Sequence, residues 1–124
     1  METGEKLHLR SREEWRAWLV EHHQEKPEIW LVLYKSASGK REFLLSHAVE
    51  EALCFGWIDS QLQPINSSSY ALRFSSRREK SNWAHSNKAR ALKLLREGKM
   101  TPAGMAVLPP DVIREWEAEN RKPE

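Results

Sequence analysis

With one cysteine, Cys54, the chain has no internal disulfide to staple it, which fits a reducing compartment. No apolar run approaches the roughly 18 residues that a membrane-crossing helix needs, so no membrane insertion is expected. The N-terminal METGEKLHLR lacks the apolar stretch of a secretory signal, and cytoplasmic location is the resulting expectation. Gly-rich phosphate loops, serine elbows and nucleotide fingerprints are all missing. The five histidines are scattered, and His47 with Glu50 and Glu51 is an ordinary coincidence on a helix surface. The expectation is therefore no cofactor and no metal.

What is present fits one domain spanning residues 1–124, large enough for a single modest core. Six tryptophans are many for this length, so much of that core should be aromatic. The net charge of +2 hides an asymmetry: residues 73–99 hold nine Lys and Arg against two Glu. Such a segment can attract phosphate or nucleic acid. A solvated helix face explains the same charges and is the favoured reading. The late helix also lacks aromatics interleaved with its cations, which counts against single-stranded nucleic acid.

Along the chain, Lys6 to Arg10 alternates as a short strand does. Ser11 and Glu14 have capping-box spacing, and Trp15, Trp18, Leu19 and His22 then form one helical stripe ending before Pro27. His22 at its edge reads as a packed, hydrogen-bonded side chain rather than a ligand. Glu28 to Lys35 is apolar on both faces, which suits the middle of a sheet. Ser36 to Lys40 reads as a turn, and Arg41 to Leu45 as a brief strand. Ser46 is expected to cap a helix running to about Phe55, stopped by Gly56. On that helix Leu45, Ala48, Val49, Ala52 and Leu53 form the apolar side; His47, Glu50, Glu51 and Cys54 fall opposite. Trp57 to Gln63 alternates, with Trp57, Asp59, Gln61 and Gln63 on one face and Ile58, Ser60 and Leu62 on the other. Tyr70 to Ser75 returns as its antiparallel partner. A helix follows from about Asn82 to Glu97, with Ala84, Ala91, Leu92, Leu94 and Leu95 apolar. Thr101 and Pro102 open a further helical turn, and Asp111 to Glu119 a last short helix. The fold expected is α+β: a small, largely antiparallel sheet of three or four strands with four or five helices packed over it.

The stretch from Cys54 to Asn87 holds the candidate site. An ionised carboxylate withdrawn from water needs a cation or several hydrogen bonds, so Asp59 is expected half-buried against Arg73, Arg77 or Arg78. The guanidinium fork suits that task. A structural ion pair locking the hairpin explains Asp59 equally well. Trp57 and Trp83 can wall a cleft beside these charges, although plain core packing explains either alone, and Asn87 lies one helical turn after Trp83. The candidate ligand-binding set is thus Trp57, Asp59, Arg73, Arg77, Arg78, Trp83 and Asn87. No residue receives a catalytic role. Cys54 is the only thiol, and the anions Glu50 and Glu51 one turn back disfavour a thiolate.

The runs EEALCFGWIDSQ, RFSSRREKSNWAHSN and GKMTPAG, with the Trp15–Leu19 helix and EIWLVLYK, resemble the YdeI/OmpD-associated (bacteriocin-protection) family. The likeness covers about Trp15 to Gly104 and matches Gly56, Trp57, Asp59, Arg73, Phe74, Arg77, Arg78, Ser81, Trp83 and Asn87. Ser76 stands where that pattern usually has proline. The acidic end of the chain stands where longer members carry a basic helical segment, so the resemblance implies a short form. It implies an uncharacterised bacterial cytoplasmic protein linked to bacteriocin protection and envelope stress. The function expected is non-enzymatic binding or protection through the Trp/Asp/Arg cleft, with a small anionic or aromatic ligand or a protein as partner. The alternatives are nucleic-acid or phosphate binding through residues 73–99, and a small-molecule enzyme of unassigned reaction.

Overall fold

Ser11 starts the first helix as its spacing predicts. Its hydroxyl accepts from the Glu14 amide at 3.2 Å, and the Glu14 carboxylate accepts from the Arg10 amide at 2.7 Å. The structure is a computed structural model that describes residues 5–35, 43–77 and 83–120. In chain order its elements are β1 (Lys6–His8), α1 (Arg12–His22), β2 (Glu28–Tyr34), α2 (Leu45–Cys54), β3 (Trp57–Pro64), β4 (Ser69–Ser76), α3 (His85–Arg96), α4 (Pro102–Met105) and α5 (Pro110–Asn120). The sheet order is β1-β2-β4-β3. The β2–β4 and β3–β4 pairings are antiparallel and β1–β2 is parallel, giving an α+β fold with a largely antiparallel sheet.

The two-sided apolar pattern of Glu28–Tyr34 does place β2 inside the sheet, between β1 and β4. Ile29, Leu31 and Leu33 pack with Leu72 and Phe74 of β4, Trp15 and Leu19 of α1, and Ala48, Val49, Ala52 and Leu53 of α2. Trp15 is fully buried and its indole N–H donates to the Ala48 carbonyl at 2.9 Å, so the large ring enters the core with its polar atom satisfied. At about 25 cal/mol per Å², burying one indole contributes at most roughly 5 kcal/mol. Trp18 stacks on Trp15 at 5.5 Å, and the His22 ring lies against Trp18 and bonds Glu25. A second cluster joins Ala91, Leu92 and Leu95 of α3 to Leu108 and Val112 of α5, and Trp83 and Met100 touch both clusters.

Several expectations change. Leu44 and Leu45 do not extend a strand: Leu44 is the N-cap of α2 and Leu45 its first residue, with no side-chain cap. Phe43 is buried in the core, and that anchoring sets the start of α2 ahead of Ser46, which is exposed inside the first turn. The Ser36–Lys40 turn lies outside the described residues. Ala84, expected on the apolar side of α3, is its exposed N-cap. In β3 a bulge sets Ser60 and Gln61 against Arg73 alone, because Asp59 opposes Phe74 and Leu62 opposes Leu72. Leu62 therefore joins the face of Trp57 and Asp59, and Gln63 leaves it. Strict alternation assigns both to the wrong side.

Candidate functional site

Gly56 lets the chain turn from α2 into β3 with φ of +74°, a conformation that costs other residues about 1–2 kcal/mol. Trp57 comes immediately after and is 1% exposed, edge-on to Trp18 at 5.9 Å. It is a core side chain and walls no cleft. Asp59 shares that face and is half-buried. Arg73 cannot reach it: the residue next to Phe74 in β4 points to the opposite face. Its guanidinium instead meets Glu28 at 2.7 Å and the Ser60 hydroxyl at 3.3 Å.

Arg77, just past β4, is the arginine that comes to the Asp59 side. Its amide donates to the Gly56 carbonyl at 2.8 Å, tying the end of β4 to the turn before β3. The side chain is 9% exposed and its guanidinium lies 3.9 Å from the centre of the Trp83 ring, a cation–π geometry. Burial pushes the Arg77 pKa down, and the negative charge of Asp59 offsets part of that. Asp59 acts on Arg77 through this field, since among the described residues no guanidinium stands within ion-pair distance of Asp59. The expected contact pair is thus a longer-range one. Arg78 lies outside the described residues. Asn87 is in the first turn of α3, where its carbonyl oxygen accepts from Arg90 at 3.0 Å, which satisfies it within its own helix. Of the candidate set, then, Arg77 lies on Trp83 with Asp59 near enough to act on its charge; Trp57 is buried in the core and Arg73 faces away.

The structure also builds an ionic centre where the sequence suggests only a polar helix side. Glu50 and Glu51 of α2 are buried. Arg12 donates from Nε to Glu51 at 2.8 Å and from Nη2 to Glu51 at 2.5 Å and Glu50 at 2.9 Å; Arg16 Nη1 reaches Glu51 at 2.9 Å and Lys93 reaches Glu50 at 2.9 Å. Burial alone would raise the Glu50 pKa, but the hydrogen bonds and charges of Lys93 and Arg12 outweigh it and hold the carboxyl below its usual range. One signal was available: two adjacent glutamates in an otherwise apolar helix need cations, and Arg12 and Arg16 share one side of α1 at i, i+4 spacing. Cys54, at the end of α2, is buried, and burial pushes its thiol pKa up against the opposing pull of Arg16. A thiolate nucleophile is disfavoured there. Among the described residues no group of three His, Cys, Asp or Glu side chains is placed to hold a metal ion, and no helix is long and apolar enough to cross a membrane.

Comparison with curated proteins and with solved structures gives no match. A family model described as a domain of unknown function, DUF8412, matches residues 7–107. That span runs from β1 through α4 and includes every described residue of the candidate site, so the chain belongs to the DUF8412 family.

Proposed function

We propose that this protein is a non-enzymatic binding protein that presents Arg77, seated on Trp83 beside Asp59, to a small anionic or aromatic ligand or to an acidic group of a protein partner. One observation carries the reading: a guanidinium withdrawn from water at the exit of β4 lies 3.9 Å from the centre of the Trp83 ring, within the field of Asp59. An anionic group meeting that guanidinium would gain a charge-assisted hydrogen bond. The basic segment favours this over nucleic-acid binding, because several of its cations among the described residues already have carboxylate partners. Lys88 pairs with Asp111, Lys93 with Glu50 and Arg96 with Glu119. The buried, raised thiol of Cys54 gives the enzyme alternative little to work with. The resemblance to the YdeI/OmpD-associated pattern extends the proposal to a protective role in a bacterial cytoplasm.

Benzoate, which carries both a ring and an anion, is a suitable probe in a thermal-shift titration. At a hundred times its Kd it should add about 2.7 kcal/mol of stability. Arg77→Lys keeps the charge but loses the stacking plane, and the response should disappear in that variant while the fold is kept. A benzoate response that survives Arg77→Lys, or no response in the parent chain, would overturn the assignment.

A further inference from the structure

Away from Arg77, a cavity of about 320 Å³ opens between the first two turns of α1 and the Gly98–Lys99 corner after α3, lined by Arg12, Glu13, Arg16, Glu51, Gly98 and Lys99. Its volume lies at the lower end of the range for small-molecule sites. Glu51, 3% exposed, grips both arginines. Arg16 is fixed further: Nη2 donates to the Lys99 carbonyl at 2.9 Å, and its guanidinium lies 5.1 Å from the centre of the Phe55 ring. A buried carboxylate thus holds two guanidiniums in place before any ligand arrives, which lowers the ordering cost of binding.

Three cations, Arg12, Arg16 and Lys99, and two carboxylates, Glu13 and Glu51, line the wall of this cavity. Glu50, behind Glu51, bonds Lys93 at 2.9 Å and shares Arg12 Nη2 with Glu51. Arg12 Nη1 makes no hydrogen bond among the described residues. The Lys99 ammonium has only a loose 3.7 Å approach to Glu97. Arg12 and Glu13 also open α1, whose N-terminal end carries a partial positive charge. We propose that this cavity binds the oxyanion group, phosphate or carboxylate, of a small molecule, with Arg12 and Lys99 as its donors and Arg16 and Glu51 as positioning residues.

The test is a nitrogen–proton NMR titration of the full chain with sodium phosphate and, separately, sodium acetate, each against sodium chloride at matched ionic strength. The expected result is a saturable shift, with a Kd of about 1 mM or tighter, on the signals of Arg12, Arg16, Gly98 and Lys99. A response to phosphate alone or to acetate alone identifies which oxyanion is taken, and either supports the site. Lys99→Gln removes a partly exposed side chain that packs into no core, so it should weaken binding about fivefold or more with an unchanged melting temperature. Arg12→Lys should weaken it as well; if that variant fails to fold, Lys99→Gln decides alone. Equal shifts with chloride, no saturable shift with either anion, or shifts that ignore Lys99→Gln would each overturn the proposal. Shifts centred on Arg77 and Trp83 would do the same while leaving the first site standing.

Discussion

Glu51 keeps a carboxylate at a position 3% exposed, with two guanidiniums converging on it from α1. Removing that charge leaves both arginines short of a partner, so Glu51→Gln should cost about 2 kcal/mol. The figure sits below the 3–5 kcal/mol of a fully buried pair because Arg12 and Arg16 are partly solvated. A shift in urea midpoint at constant slope would report it; a loss under about 0.5 kcal/mol would mean that solvent screening already weakens the cluster. The same scale shows what local sequence can reveal. The arginine contact expected of Asp59 is not made among the described residues, whereas its half-buried position was legible. The choice among arginines was not, because strand parity turns Arg73 away and a residue beyond the strand, Arg77, comes round instead. Glu50 and Glu51 were misplaced for a related reason: their partners on α1 lie 35 to 39 positions away, outside any helical wheel.

Between elements, α4 meets the end of α2 at a closely packed corner. Thr101 caps α4 and also bonds the Cys54 carbonyl through both its amide and its hydroxyl. A Cβ on Gly104 would sit 2.4 Å from that same carbonyl oxygen, and backbone cannot swing aside as a side chain can. Gly98 has the contrary problem: nothing lies within 4 Å of its would-be Cβ, but its φ is +73°. Gly104→Ala should therefore cost about 3 kcal/mol or more through overpacking, and Gly98→Ala only about 1 kcal/mol through left-handed strain. Chemical denaturation of the two variants side by side tests the ranking, and the reverse order would show that α4 can move off α2. The caps at Ser11 and Thr101 were readable because they are local chemistry. The parallel β1–β2 pairing and the β3 bulge were not, since they depend on which strands meet. That bulge, with Pro64 at the strand end, interrupts the ladder of an edge strand on which Leu62 is 58% exposed, a familiar guard against edge-to-edge pairing.

For the molecule as a whole, the net charge of +2 says less than the way opposite charges are matched across elements. The excess of cations in residues 73–99 looks like a binding surface in one dimension. In three, α3 uses it to hold the acidic neighbours that the chain places before and after it: Lys93 on Glu50 of α2, Lys88 and Arg96 on Asp111 and Glu119 of α5. Those three carboxyls all have pKa values held below their usual ranges: Glu50 against its own burial by Lys93 and Arg12, Asp111 and Glu119 chiefly by hydrogen bonds from Lys88 and Arg96. A carboxyl with a depressed pKa in the folded state binds fewer protons there than in the unfolded chain. Its stabilisation is complete above the unfolded value, about 3.9 for Asp and 4.3 for Glu, and is lost as pH falls through the folded one. The urea midpoint should accordingly stay level from neutral pH to about pH 5 and drop below about pH 4. Glu50→Gln should start from a lower midpoint and decline less steeply in that acid range, because the most enclosed of the three titrating groups is gone. An acid decline identical in the variant and the parent would show that Glu50 does not carry the linkage, and that the exposed pairs, Glu28 with Arg73 among them, set the acid limit instead.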